Sequence, residues 1–385
     1  MEEPPVRWPE VRGVRRVVFI GPVPPFRGGI AQHSAMLCRE LARRCDLLVI
    51  SFSRQYPLWL FPGESDRDPT QAPFAAADTR FLIDSLNPMT WRKAAAAIRD
   101  HGADLVILPW WTVFWAPCFA YLARRCRKAG IPVRLLCHNV VDHEAAAWKS
   151  LLSRAVLSQA SSFLVHTRND ERRLKALFPG VPVIVHPHPV YSQFPPPAAG
   201  LPRRAGFELL FFGLVRPYKG LDILIEAMGR LADRDVHLTV VGEFWSGRAE
   251  AEARIRALGL EDRVELVPRY VTDQEAAAYF ARADAVVLPY RSATGSGVVS
   301  LAYRYDKPVI VTRVGGLPDA VEEGETGLIV PPESPAALAE AISRMTSERA
   351  AAMAPAIGRL KATMTWEALA EASLRADGAG TPRGS

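Results

Sequence analysis

Apolar runs of four to six residues alternate along the chain with longer amphipathic segments. The first half contains RVVFI, DLLVIS, DLVILP, VRLLC, SFLVH and PVIVH, and the second half contains FELLFFG, HLTVVG, RVELVP, DAVVLPY and KPVIVT. Apolar runs bounded by turn residues are typical of strands buried on both faces of a parallel sheet. The intervening segments, such as LDILIEAMGRLA, have helical periodicity. We therefore predict an α/β protein with two doubly wound, Rossmann-like domains facing each other across a cleft.

The proline-rich segment HPHPVYSQFPPPAAGLPRRAG separates the two series. Its prolines oppose helix formation and its small residues support no core. We predict an N-terminal domain over 1–190, a linker over 191–206, a C-terminal domain over 207–361 and a disordered tail over 378–385. The section from Arg54 to Asn87 is rich in proline and glycine and is expected to be irregular.

Net charge, cysteine spacing and hydropathy limit the partners and the location that we expect for this protein. The first 200 residues carry a net charge of +9 and the remainder −3, which suits either an anionic acceptor, a lipid headgroup surface or ordinary solvated helix faces. The basic cluster RRCRK ends a predicted helix, where cations are favoured anyway, so nucleic acid is not an expected partner. Five cysteines without paired spacing are predicted to be buried thiols. No signal peptide or membrane span is recognised, and a cytoplasmic location is expected.

The stretch LPYRSATGSGVVSLAYRYDKPVIVT predicts a strand, a glycine-rich loop and a helix from about Val298. Backbone N–H groups at such a helix start favour an anion. Arg216 and Lys219 lie on the loop after the first strand of the second domain. A guanidinium and an ammonium together suit a diphosphate, although two surface cations would give the same pattern.

In the first domain, Gly28 and Gly29 open a predicted helix, where they permit either close approach of a ligand or a structural turn. His33 lies one helical turn further on, as a candidate site residue or an ordinary cap. His138 and Asn139 follow a strand at its carboxyl end, where ligands bind in open α/β sheets. The aromatic segment WWTVFW is predicted to be a strand end running into a buried helix, and it slightly favours a membrane-associated acceptor.

No metal site is predicted. His166, His186 and His188 have no carboxylate or cysteine at a ligand spacing. The two DxD sequences, Asp66 to Asp68 and Asp233 to Asp235, are interpreted as coincidental, since one lies in the irregular section and the other ends a helix.

The second half resembles the retaining glycosyltransferases of family 4, which have the GT-B fold. The matching segments are GLVRPYKGLDILIEA, HLTVVGE, RVELVPRYVTDQEAAAYFARADAVVLPY, KPVIVTRVGGLPDAVEEGETGLIVPP and TWEALAEASL. The first half adds GPVPPFRGGIAQHS and the histidine of LLCHN. The resemblance implies that a final helix, placed at 362–377, packs back on the first domain.

The resemblance further implies metal-independent transfer of a sugar, with retention of configuration, from a UDP or GDP sugar to a hydroxyl acceptor. The donor is a co-substrate, and no other cofactor is expected. The acceptor is a glycan, a lipid-linked saccharide or a small molecule, with peripheral contact to a membrane. Catalytic roles are expected for His138, Arg216 and Lys219. The expected donor-binding residues are Gly28, Gly29, Gly213, Arg216, Lys219, Gly242, Glu243, Arg269, Tyr270, Ser296, Gly297 and Val298, and the expected acceptor-binding residues are His33, Trp111 and Asn139.

This chain departs from the family pattern at three positions. Many members carry two glutamates eight residues apart near the glycine-rich loop, where this chain has Ala293 and Leu301. The arginine that commonly follows the glycine of the first strand is also displaced, with Leu214 in its place and Arg216 two residues further on. A variant donor site is one interpretation. A GT-B epimerase or hydrolase, and an inactive subunit that only binds a partner or a glycan, are the alternatives.

Overall fold

The computed structural model describes residues 15–57, 66–68, 72–140, 147–191, 194–197, 200–231 and 233–375. The chain divides by its internal contacts into two compact units. Unit 1 comprises Met1–His166, Asp170–His186 and Trp366–Ser385, and unit 2 comprises Thr167–Asn169 and Pro187–Thr365. The segment 191–206, expected to be a linker, thus belongs to unit 2 in this division, and the expected tail over 378–385 lies outside the described residues.

Unit 1 contains a seven-stranded parallel sheet. Its strands are β1 (Arg16–Ile20), β2 (Asp46–Arg54), β3 (Asp78–Asp84), β4 (Leu105–Trp110), β5 (Val133–Cys137), β6 (Ser162–Val165) and β7 (Val183–Val185), in the spatial order β3-β2-β1-β4-β5-β6-β7. The helices are α1 (Gly29–Ala42), α2 (Pro88–His101), α3 (Ala116–Lys128), α4 (Ala147–Leu157), α5 (Arg168–Leu177) and, at the end of the chain, α13 (Trp366–Leu374). The central strands β1, β4 and β5 are almost wholly buried, as their apolar runs predict.

Strand β3 is an element that the sequence pattern did not predict. It lies inside the section expected to be irregular and pairs with β2 at the edge of the sheet. Only Ile83 among its seven residues is buried, and its apolar run, Phe81 to Ile83, is shorter than the runs of four to six residues that predict the other strands. An edge strand needs to bury only part of one face, which explains why its sequence is largely polar.

Unit 2 contains a six-stranded parallel sheet in the order β10-β9-β8-β11-β12-β13. Its strands are β8 (Phe207–Phe212), β9 (Val236–Val241), β10 (Val264–Val267), β11 (Ala285–Leu288), β12 (Val309–Thr312) and β13 (Gly327–Val330). Its helices are α6 (Leu221–Gly229), α7 (Arg248–Ala257), α8 (Asp273–Arg282), α9 (Gly297–Arg304), α10 (Pro335–Arg344), α11 (Ser347–Ala352) and α12 (Ala354–Thr363). Short 3-10 helices cover Val113–Trp115, Pro217–Lys219 and Pro318–Ala320.

Each sheet has a switch point from which its strands are added outwards in both directions, and this point has the equivalent position in the two sheets. In unit 1 the switch point lies between β1 and β4, and in unit 2 between β8 and β11. The loops that leave the carboxyl ends of strands at such a point form the usual binding crevice of doubly wound sheets. This geometry places the loops after β8 and β11 together in unit 2, and those after β1 and β4 together in unit 1.

Helix α13 contacts α1 and belongs to unit 1. A buried arginine on β5, Arg134, holds its end. The guanidinium donates to the carbonyl oxygens of Ser373 at 2.7 Å and Arg375 at 2.8 Å, and to the Ser162 hydroxyl at 2.9 Å. The carbonyls at a helix end lack intrahelical partners, so a cation there satisfies them and complements the helix dipole.

Candidate active site

The loops after β8 and β11 bring together several predicted donor-binding residues of unit 2. Lys219 ends the short helix Pro217–Lys219, and its side chain returns to Gly213. A Cβ on Gly213 would lie 3.2 Å from the Lys219 Nζ and 3.8 Å from Val298. Gly213 also has a φ of +99°, which a glycine adopts without strain. The ammonium therefore lies beside the first turn of α9, as a phosphate-binding arrangement requires.

Lys219 is the most perturbed cation of this region. Only 8% of its surface is exposed, and its Nζ lies 5.5 Å from the centre of the Tyr290 ring. Burial, and secondarily the charge of Arg216, lowers the pKa of the Lys219 ammonium to about 8. Across the residues that the structure describes, neither Lys219 nor Arg216 forms an ion pair with a carboxylate. Two neighbouring cations without a carboxylate partner among the described residues make an electropositive region that favours an anion.

Arg216 is supported by an aromatic ring that sequence reasoning missed. Its guanidinium carbon lies 4.1 Å from the centre of the Trp245 ring. The two residues are neighbours because the loops after β8 and β9 continue to pair, with Val215 N–H donating to Glu243 O at 2.9 Å and Trp245 N–H donating to Val215 O at 3.2 Å. The only signal in the sequence was an exposed tryptophan just after a strand end.

A second residue that sequence reasoning missed, Arg291, ties the two loops together. It donates two hydrogen bonds to the Asp222 carboxylate, at 2.8 and 2.7 Å, and one to Pro217 O at 2.8 Å. Its own backbone N–H donates to Tyr218 O at 2.7 Å. The loop that begins at Arg291 is therefore fixed to the loop that ends at Lys219. The pKa of the Asp222 carboxyl is lowered, first by its hydrogen bonds from Arg291.

The helix start at α9 is partly capped by its own side chain. The Ser296 Oγ accepts from Val298 N–H at 3.3 Å, and the Ser296 carbonyl accepts from Val299 N–H at 3.2 Å. The buried Tyr290 hydroxyl lies 3.4 Å from the Ser296 Oγ, which links the cap to the ring beneath Lys219. Gly297 is close-packed, because a Cβ there would lie 3.2 Å from the Tyr191 hydroxyl. The N–H of Val298, expected to face a phosphate, has an alternative acceptor in Ser296.

Three other predicted donor-binding residues, Gly242, Arg269 and Tyr270, differ in their surroundings. Gly242 lies against Gly213, where a Cβ would collide with the Gly213 carbonyl. Arg269 donates to the Glu275 carboxylate at 2.5 Å and to Tyr270 O at 3.1 Å, so its hydrogen bonds join its own loop to the first turn of α8. Tyr270 is 64% exposed.

The positions of the two missing glutamates are apolar and buried. Ala293 is 7% exposed and Leu301 is 4% exposed. The Ala293 carbonyl occupies the space where a Cβ on Gly315 would stand, and Gly315 has a φ of +52°. These positions are therefore filled by packing between the loops after β11 and β12, and they supply no carboxylate.

In unit 1, three histidines and a tryptophan form one cluster. His33 on α1 is 1% exposed, and its ring centre lies 4.6 Å from that of His138, 5.2 Å from that of His166 and 4.9 Å from that of Trp366. His33 is therefore a packed interior residue. Gly28 precedes this helix as its N-cap, with a φ of +101°, and Gly29 is its first residue.

The backbone after β4 holds His138 and Asn139. The Trp110 carbonyl accepts from His138 N–H at 2.8 Å, and the Trp111 carbonyl accepts from the Asn139 side chain at 3.0 Å. The Trp111 indole N–H donates to the Tyr56 hydroxyl at 3.1 Å. Trp110 and Trp115 are 2% and 1% exposed, so these two members of the aromatic segment belong to the core.

The two DxD sequences are structural. In the first, Asp66 O accepts from Arg27 N–H at 2.8 Å and Asp68 N–H donates to Pro25 O at 2.7 Å, which fixes the loop before Gly28. In the second, the Asp235 carboxylate accepts from Gly206 N–H at 2.6 Å, at the amino end of β9. That end of the strand is opposite the edge where the cations of unit 2 lie. No helix of the described residues is long and apolar enough to cross a membrane.

Comparison with known proteins agrees with this arrangement. The family described as Glycosyltransferase Family 4 matches residues 27–194, and the family described as Glycosyl transferases group 1 matches residues 206–348. The chain is 30% identical over 380 residues to a D-inositol 3-phosphate glycosyltransferase of Mycobacteroides abscessus, covering 91% of this chain and 84% of that protein.

Two solved structures share the fold over almost the whole chain. Sucrose-phosphate synthase from Thermosynechococcus elongatus has a TM-score of 0.69 at 21% identity, covering 93% of this chain and 97% of that one. Anabaena HepE, solved in complex with UDP, has a TM-score of 0.70 at 18% identity, with coverages of 92% and 97%. Two parallel-sheet units and these neighbours establish the GT-B fold and exclude a GT-A fold. The chain belongs to the family 4, group 1 glycosyltransferases, and it is a glycosyltransferase.

Proposed function

We propose that this glycosyltransferase takes its sugar from a uridine diphosphate donor bound in unit 2. The observation that carries the proposal is the pairing of Arg216 with the buried Lys219 beside the start of α9, without a carboxylate partner among the described residues. A diphosphate supplies the anionic partner that both cations lack among the described residues. The choice of uridine is supported by Anabaena HepE, which was solved with UDP, and a GDP sugar is the alternative to be tested.

Arg216 and Lys219 act on the leaving group. As the glycosidic bond breaks, negative charge grows on the diphosphate oxygen that departs. Groups already oriented towards that oxygen stabilise the transition state more than the ground state. Removing one such donor typically costs about 3 kcal/mol in the barrier. The low exposure of Lys219 strengthens its interaction, because water screens it little.

Retention of configuration and independence of metal ions are parts of the same proposal. Retention is what the family resemblance implies. Metal independence is supported by the two cations, which neutralise a diphosphate as a divalent ion does in other transferases. It is also supported by the DxD carboxylate Asp235, which is hydrogen-bonded at the amino end of β9.

The acceptor is proposed to be a hydroxyl compound held by unit 1, with His138 orienting the reacting hydroxyl and Asn139 and Trp111 shaping the site. The relative named D-inositol 3-phosphate glycosyltransferase makes a phosphorylated cyclitol the first acceptor to test. Glycans and lipid-linked saccharides are the next acceptors to test, because the basic charge of the first 200 residues suits an anionic acceptor.

The test is a transfer assay with a panel of UDP and GDP sugars against these acceptors, with and without a chelator. We expect UDP-sugar turnover that survives EDTA and a product whose anomeric configuration, read by NMR, equals that of the donor. Donor consumption without acceptor would indicate an epimerase or hydrolase instead. Tight donor binding by calorimetry without any turnover would indicate an inactive binding subunit.

A further inference from the structure

Three imidazole rings converge at the carboxyl ends of strands β5 and β6 in the unit 1 sheet. The register of β5 and β6 pairs Cys137 with Val165, so that His138 and His166, the next residue of each strand, leave the sheet side by side. His33 reaches them from α1. One ring nitrogen of each histidine lies within 4.8 Å of those of the other two. Glycosyl transfer, as proposed above, uses only His138 of the three.

The chemistry of His166 suits it as a metal ligand. Its Nδ1 lies 2.9 Å from the His186 carbonyl oxygen. Because a carbonyl can only accept, Nδ1 carries the proton and Nε2 carries the lone pair. A histidine oriented by a backbone carbonyl in this way is the usual outer-shell arrangement of metal-binding histidines.

The three histidines differ in burial. His33 is buried, whereas His138 and His166 are half-buried. The neighbouring thiol of Cys137 donates to Leu135 O at 3.8 Å. The ring nitrogens that lie within 4.8 Å of one another all belong to imidazoles.

We propose that His33, His138 and His166 form a binding site for a divalent transition ion of borderline softness, such as Zn²⁺ or Co²⁺. Tetrahedral zinc with bonds of about 2.0 to 2.1 Å requires ligand nitrogens about 3.4 Å apart, so the rings close by about 1 Å on binding. The fourth position is open to water or to a sugar hydroxyl. An ion there engages His138 and therefore inhibits transfer; this last consequence rests on the proposed function.

Binding is tested without reference to activity. Tag-free full-length protein is titrated with Co²⁺, whose visible absorption reports tetrahedral nitrogen coordination, and then with Zn²⁺ as a competitor. We expect one ion per chain, and at least tenfold weaker binding in His166→Ala and in His33→Ala. His101→Ala is the matched control, because His101 is a half-buried histidine of α2 that is not a member of the cluster, and it should bind as the native protein does.

Circular dichroism establishes that each variant folds. If His33→Ala does not fold, the outcome of the binding test is taken from His166→Ala alone. Native-like Co²⁺ binding by folded His166→Ala, or the absence of a tetrahedral spectrum in the native protein at tenfold excess of metal, would overturn the proposal.

The inhibitory consequence needs a second measurement. Zn²⁺ should lower transfer by the native protein at least tenfold, EDTA should restore it, and His166→Ala should need at least tenfold more Zn²⁺ for the same inhibition. Loss of transfer on EDTA treatment alone would contradict an inhibitory site. If Co²⁺ binds as described but no sugar is ever transferred, the metal site stands and the proposed function fails.

Discussion

The carbon of the Arg216 guanidinium lies 4.1 Å from the centre of the Trp245 ring. A carboxylate would orient an arginine by occupying two of its N–H groups and cancelling its charge. An aromatic face orients it while leaving the N–H groups at its edge, and its charge, available to a diphosphate. The stacking thus prepares Arg216 for an anionic ligand.

Replacing Trp245 should therefore weaken the action of Arg216. We expect Trp245→Ala to lower kcat/KM for the donor about three- to tenfold, in line with roughly 1 kcal/mol for a partly exposed cation–π contact, and Trp245→Phe to recover most of it. Steady-state kinetics with varied donor measures this. Trp148→Ala is the control, since Trp148 is also exposed, at 58%, but lies in unit 1. An equal loss in Trp148→Ala would contradict the assignment.

Arg216→Ala and Lys219→Ala should each lower turnover at least tenfold with the fold intact, because each removes a charge that stabilises the departing diphosphate. Thermal melting checks the fold and single-turnover kinetics checks the chemical step. Arg248→Ala is a suitable control, because Arg248 pairs with Glu252 on the surface of α7. Near-native kinetics in either site variant would refute the phosphate assignment for that residue.

Donor binding should take up protons above neutral pH. The pKa of Lys219 is lowered to about 8 in the free protein, and a bound diphosphate raises it by stabilising the ammonium. Affinity should fall as pH rises from 7 to about 9.5, since the lysine must first regain its proton. The pKa of the neighbouring Tyr290 is raised by burial, so its phenol stays neutral over this range. Calorimetry in buffers of different ionisation enthalpy measures the uptake, which Lys219→Met should abolish.

His138→Ala should reduce kcat more than it weakens donor binding, because we place His138 with the acceptor. Donor binding measured by calorimetry, beside steady-state kinetics, separates the two effects. A pure loss of donor affinity would argue against this placement.

Arg134→Met should destabilise unit 1 by about 2 to 4 kcal/mol, because hydrogen bonds to charged groups contribute roughly 1.5 to 3 kcal/mol each and carbonyls at the end of α13 would lose a partner. Urea unfolding measures the change, and hydrogen exchange should show faster exchange in α13. Arg80→Met is the control: Arg80 pairs with Asp78 at the surface, so its loss should cost under about 1 kcal/mol. Unaltered exchange in α13 would show that Arg134 does not hold this helix.

The sequence by itself determined the two βα series, most strand positions and the family. Buried parallel strands must be apolar along their whole length, so β1, β4, β8 and β11 are visible as short runs. The segment around Lys219 and the loop before α9 can be predicted as parts of the site from the sequence, because glycines and cations follow strand ends there. The edge strand β3 was hidden, since its apolar run is shorter than the runs that predict the other strands.

Only the tertiary structure decided which side chains meet. The partnership of Arg216 with Trp245 depends on pairing between the loops after β8 and β9, and that of Arg291 with Asp222 spans 69 residues of sequence. His33, His138 and His166 converge because β5 and β6 are adjacent in register and His33 of α1 packs against both rings. Local periodicity records which face of an element is buried, whereas contacts across loops depend on strand order and register, which sequence spacing does not encode.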